Sequence, residues 1–269
     1  MFKLNFIIMR NLIVISFVIL FINNAFAQVG GLSASKLATL NTSTVPKNAI
    51  EFEPSFGFFN SHYHWDNSSK LQNNFNDKDS AIVSSSIMFR FSYGLTDNME
   101  VGVSICDNVS MANWGVKYNF IKNNNLQFAF ILGVNTPLGN RNIDLQKKSN
   151  ENSFATGIIL TKEINKKLSV DANVQYQQHL FLQKNNHLQD YFINIDVGYY
   201  IFDKIQLVSG FNYMISDGNI IKNSLIFNLG FTIEKAKNFI LVTQLPYTIS
   251  GKNTQKSLGF GLALTILIK

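Results

Sequence analysis

The sequence predicts an all-β fold: a 12-stranded antiparallel transmembrane β-barrel of the outer-membrane type. Three observations carry that prediction. Stretches that alternate apolar and polar residues recur between Ile50 and Ile268, the connections between them alternate between short turns and mostly longer loops, and an export signal stands in front.

The signal takes residues 1–27. Lys3 and Arg10 are basic, Leu12 to Ile22 form an apolar run, and Ala25-Phe26-Ala27 offers a small-x-small cleavage site before Gln28. That run is shorter than the roughly 20 residues a helix needs to cross hydrocarbon, and no later segment is long enough. Residues 28–49 are weakly apolar and rich in Ser and Thr. As a terminal segment they are expected to be a flexible periplasmic lead-in, with inward folding as a small plug the alternative. Residues 50–269 form the barrel, with no Pro-, Gly- or Ser-rich linker to divide it.

Loss of the signal lowers the formal charge of +6 by two. The remaining excess is mild and spread over turns, as at Lys122, Lys166, Lys167 and Lys204, which argues against nucleic acid as a partner. Cys106 is the single cysteine, so an intramolecular disulfide is impossible. No Cys/His spacing suggests a metal, and no cofactor is implied.

Side chains on a strand point alternately to opposite faces, so residues two apart share an environment. In chain order the apolar faces are Met99, Val101, Val103 and Ile105; Trp114, Val116, Tyr118 and Phe120; and Leu126, Phe128, Phe130, Leu132 and Val134. Phe154 to Glu163 is ambiguous in phase. Leu168 to Gln177 is the plainest case, with Leu168, Val170, Ala172, Val174 and Tyr176 opposed to Ser169, Asp171, Asn173, Gln175 and Gln177. Tyr191 to Ile201, Leu225 to Ile233 and Leu258 to Ile268 repeat the design.

The connections give a second test. Thr96-Asp97-Asn98, Lys122 to Asn125, Asn165 to Lys167, Asp203-Lys204 and Lys235 to Asn238 are tight. Those between run from Asn60 to Ser80, Asp107 to Met111, Pro137 to Asn152, Leu180 to Gln189, Ser216 to Asn223 and Ser250 to Gln255. Short periplasmic turns and longer outer loops give this parity, with an even strand count.

A soluble β-sandwich also alternates. Its polar face meets bulk water and carries many charges, whereas this one is mainly Gly, Ser, Asn and Gln, as a confined wet interior requires. Aromatics also recur near the ends of apolar faces, as with Tyr191 and Tyr199, which suits interfacial girdles. Hydrocarbon offers no partner for a backbone N–H or C=O, so a membrane sheet has to close.

Phe91 to Ile105, F-S-Y-G-L-T-D-N-M-E-V-G-V-S-I, resembles the hairpin of outer-membrane proteins grouped with the meta-pathway phenol-degradation family. Val45 to Phe56, Gly115 to Tyr118 (G-V-K-Y) and Thr136 to Gly139 (T-P-L-G) are similar to other pieces of that family. The resemblance implies a barrel that takes up or exports small, hydrophobic compounds, and it carries no catalytic residue across. The C-terminal Ile268-Lys269 departs from the aromatic end that barrels commonly show to the outer-membrane assembly machinery, the expected partner in insertion.

The candidate lumen residues are Glu51, Glu53, Arg90, Glu100, Lys117, Asp171, Asn173, Gln175 and Asp196. One reading is a polar constriction that sorts solutes by charge; the other is an ion-paired filling that stabilises a narrow barrel. Acids exceed bases among them, which leans towards cations or neutral solutes. His62 and His64, with Tyr63 and Trp65, form an aromatic cluster that reads either as a surface metal or ligand site or as interfacial aromatics. His179 and His187 near the outer rim could serve a lipid-modifying enzyme if paired with a serine, although no G-x-S-x-G elbow occurs. The expected function is passage of a small-molecule solute across the outer membrane of a diderm bacterium. A non-conducting structural or adhesion barrel is the alternative, and the lipid-modifying enzyme a third.

Overall fold

The computed structural model describes residues 29–33, 37, 39–75, 80–106, 111–123, 125–138, 152–180, 189–218, 220–236 and 238–269. Its strands are β1 (Ile50–Trp65), β2 (Leu71–Asn73), β3 (Ile82–Thr96), β4 (Met99–Cys106), β5 (Met111–Lys122), β6 (Leu126–Pro137) and β7 (Ser153–Glu163). There follow β8 (Leu168–His179), β9 (Gln189–Phe202), β10 (Ile205–Asp217), β11 (Lys222–Ala236), β12 (Phe239–Lys252) and β13 (Thr254–Ile268). All strand pairs are antiparallel: β3 to β13 pair in chain order, β1 pairs with β3, and β13 returns to β1 with Ile50 opposite Ile268. Twelve strands thus close a barrel, while β2 pairs only with the end of β1.

Closure follows from the sequence face by face. The outward residues Leu132, Ile158, Val174, Ile193, Leu245 and Leu258 are all exposed, while the inward Asp171, Asn173, Gln175 and Asn194 are buried. A water-soluble sheet would do the reverse; lipid outside the cylinder accounts for it. Outward rings pack across strands, stacked with centroids 4.8 Å apart for Phe52 and Phe91 and tilted at 5.0 Å for Tyr176 and Tyr191. No helix among the described residues is long and apolar enough to span a membrane.

The tight turns are built by side chains that replace missing ladder bonds. Thr96 Oγ1 accepts from Asn98 N–H at 3.2 Å, and Asn165 Oδ1 accepts from the N–H groups of Lys167 and Leu168 at 2.8 and 3.0 Å.

Two connections differ from expectation. The first long loop is shorter than Asn60 to Ser80, because β1 runs on to Trp65 and β2 folds back on it. The Ser250 to Gln255 connection is tight rather than long: β12 reaches Lys252 and β13 begins at Thr254. Asn253 makes that reversal at φ 49°, in the left-handed region that Asn tolerates better than most residues.

β7, ambiguous in the sequence, turns Ser153, Ala155, Gly157, Ile159 and Thr161 inward. Ile159 goes in because it has an apolar partner there. With Ile131 and Ala129 it packs against Val29, Leu32 and Leu40, which precede the barrel in the chain.

Candidate functional site

The described residues between Val29 and Ala49 lie against the inward faces of the barrel and touch most of its wall. Backbone carbonyls close on glycines. A Cβ on Gly102 would overlap the Gly31 carbonyl and one on Gly115 would overlap that of Gly30. Gly102, Gly115 and Gly133 are register partners on β4, β5 and β6, so they form a trough that only residues lacking a side chain could leave open. Ser92, next in that row, donates to Gly31 O at 2.8 Å. On the opposite wall Leu37 packs with Val208 and Val242. Near the short-turn end Thr44 Oγ1 reaches Asp97 O at 2.9 Å.

The predicted lumen residues separate into groups. Arg90 Nη2 lies 2.9 Å from Glu51 Oε1 and 2.7 Å from Glu53 Oε2, and Thr265 donates to the same Glu53 oxygen at 2.5 Å. Glu100 and Lys117, opposite one another on β4 and β5, are 3.2 Å apart and fully buried. Both also hold the inner segment. Glu100 accepts from Ser33 N–H at 2.8 Å, Ser33 Oγ at 2.5 Å and Val45 N–H at 2.7 Å, while Lys117 donates to Ser33 O at 3.0 Å and Asn41 O at 3.3 Å. Such charge-assisted bonds are about twice as strong as neutral ones.

Asp171 and Asp196 are register partners on β8 and β9. Thr161 donates to Asp171 at 2.6 Å, and Thr39 N–H to Asp196 at 3.3 Å. Asn173 and Gln175 join an amide chain not read from the sequence. Gln175 and Asn194 both donate to Asn173 Oδ1, Asn212 donates to Asn194 and Asn228 to Asn212. The signal was present, since an inward Asn recurs on each of β8 to β11. Ser33, Thr39 and Thr42 were missed because nothing local assigns a terminal segment to a lumen.

The histidines take structural partners. His62 Nδ1 meets Ser80 O at 3.1 Å and His64 Nδ1 meets Asn74 Oδ1 at 2.9 Å, so both tie the first loop to the rim. Among the described residues no three His, Cys, Asp or Glu side chains gather as a metal site. His179 Nε2 lies 2.8 Å from Asp190 Oδ2 and 2.6 Å from Gln177 Nε2, while Ser153 Oγ accepts from Asn135 at 3.1 Å. This cluster faces the lumen, whereas acyl chemistry at the bilayer edge needs it to face lipid. His187 lies outside the described residues, as does Gly139 of the T-P-L-G stretch.

The sequence profile of the family Membrane bound beta barrel domain (DUF5777) matches residues 41–244. No curated protein matches the chain. Among solved structures, the COG4313 outer membrane channel from Pseudomonas putida F1 is similar over 84% of this chain and 98% of its own, with TM-score 0.64 and 14% identity. The NanC porin is similar over 80% of this chain and 98% of its own, with TM-score 0.53 and 9% identity. At these identities the likeness is one of fold.

Proposed function

The chain belongs to the DUF5777 family of membrane-bound β-barrels, and from that premise we propose that this outer-membrane barrel is a channel or transporter component for small molecules, closed at rest by the described residues between Val29 and Ala49. The observation that carries the reading is how the segment is held. Glu100 takes three hydrogen bonds from it and the glycine trough receives its backbone, while the two apolar clusters it shares with the wall are small. Hydrogen bonds of this kind can be exchanged for water when the segment leaves. Likeness of fold to a channel and a porin supports the same reading.

The resemblance to the phenol-degradation family adds small, hydrophobic compounds as the solute class. Phe59, Met88, Phe192 and Met214, inward by strand parity, supply apolar surface nearer the long-loop end. The five acids at Glu51, Glu53, Glu100, Asp171 and Asp196 outnumber Arg90 and Lys117, so an opened lumen favours cations and neutral solutes over anions.

The test is conductance in planar bilayers, comparing the chain with a variant lacking residues 29–43. The intact protein should pass little current and the shortened one a larger, cation-selective current, with uptake of small neutral solutes into liposomes. A shortened barrel that inserts but stays insulating refutes the channel and leaves a non-conducting barrel whose loops bind partners.

A further inference from the structure

Lys256 stands on the outer surface of the barrel between two tyrosine rings. Its ammonium is 5.9 Å from the centroid of Tyr63 and 5.8 Å from that of Tyr247. Tyr63 is its register partner on β1, and both rings are exposed. Cation–π attraction of this kind holds a lysine in place without neutralising it, because the rings carry no net charge. No carboxylate within ion-pair distance of Lys256 is found among the described residues.

Its height in the membrane follows from β13. The outward side chains on this strand run Leu258, Phe260, Leu262, Leu264, Ile266 and Ile268, and Lys256 is next above them. At roughly 3.4 Å per residue and a tilt of about 40°, Leu258 to Ile268 covers about 26 Å of membrane normal, against an apolar band of about 25 Å in such barrels. Lys256 therefore lies where the hydrocarbon ends and headgroups begin, at the end bearing the long loops. Lys252 lies at the tip of the same hairpin, and its register partner Asn223 lies on the outward face of β11. Asp66 accepts the Asn253 N–H through its backbone carbonyl, but its carboxylate is taken up by Ser68, Lys70 and Gln72 of its own loop.

We propose that Lys256, clasped by Tyr63 and Tyr247 and assisted by Lys252, binds the phosphate of an outer-leaflet lipid headgroup. The site is fixed rather than snorkelling at random, carries a positive charge with no carboxylate partner among the described residues, and opens to lipid rather than to the lumen. Each lysine near an anionic lipid surface contributes an attraction on the order of a fivefold change in binding.

The experiment uses the purified full barrel in neutral detergent with lipid A bearing two phosphates as the probe, and bound lipid is counted by native mass spectrometry. The native protein should retain this lipid in preference to its dephosphorylated form. Lys256→Gln should lower retention about fivefold, Lys256→Arg should keep it, and Lys122→Gln at a short turn should change nothing. Heat-modified gel mobility verifies that each variant is folded. Equal retention of the two lipids, or unaltered retention by folded Lys256→Gln, overturns the proposal. So does full displacement by millimolar inorganic phosphate, which would mark a free-anion site.

Discussion

Lys117 Nζ sits 3.2 Å from Glu100 Oε1 at matching positions on adjacent strands, and the same carboxylate receives three hydrogen bonds from a segment more than fifty residues earlier. One ion pair thus joins two strands of the wall to what fills the barrel. Lys117→Met strands a buried charge and should cost about 3–5 kcal/mol, the usual loss when one partner of a buried pair is removed. Urea unfolding in micelles, followed by tryptophan fluorescence, measures it. Lys117→Met/Glu100→Gln should lose at least about 1 kcal/mol less than the sum of the single changes, and strict additivity refutes the coupling.

The trough makes a second claim, about sterics. Gly102→Leu puts a side chain where the Gly31 carbonyl lies, so the barrel should assemble with the segment displaced. Amide exchange across residues 29–49 should then rise by an order of magnitude or more. Gly57→Ala is the control, since its Cβ meets Ser86 Oγ at an ordinary 3.4 Å. Equal exchange in the two variants would count against close backbone packing.

What the sequence allowed one to read was whatever depends on strand parity. Leu168 to Gln177 shows its two faces unaided, and Glu53, Arg90 and Asp171 fall on the lumen side by the same rule. Parity does not give partners. That Arg90 spans Glu51 and Glu53, or that Glu100 binds Ser33 and Val45, depends on register and on a terminal segment whose path no local pattern encodes. Phe154 to Glu163 was ambiguous for that reason: Ile159 breaks the polar inner face because Leu32 and Leu40 arrive from far away in the chain. Gly102 and Gly115 stand in the same wall, and only the fold shows that the Gly31 and Gly30 carbonyls pack on them.

Protonation of Asp66 supplies a prediction about the first loop. Hydrogen bonds to its carboxylate, the Lys70 N–H foremost and then the Gln72 side chain, hold it below the ordinary value of 3.8. A depressed carboxyl adds stability that is full above the unfolded value and disappears as pH falls through the folded one. Protease cleavage within residues 66–75 should therefore stay slow at neutral pH and accelerate only below about pH 4. Asp66→Asn should be cleaved faster at neutral pH and lose this pH dependence. An unaltered acid response in that variant would assign the effect to another group.

Ile158 and Ile159 adjoin in sequence and face opposite solvents, so they separate two kinds of apolar burial. Ile158 is 54% exposed on the lipid side, whereas Ile159 is 0% exposed against Val29, Leu32 and Leu40. Removing the Ile159 side chain leaves a cavity, which in a core costs about 2–5 kcal/mol. Here half the cavity wall belongs to the segment that we propose leaves without unfolding the barrel. Ile159→Ala should therefore speed amide exchange in residues 29–49 while the barrel's urea midpoint moves little. Ile158→Ala removes contact with lipid alone and should leave that exchange unchanged. If the two variants loosen the segment equally, Ile159 does not hold it and the inward assignment of β7 fails.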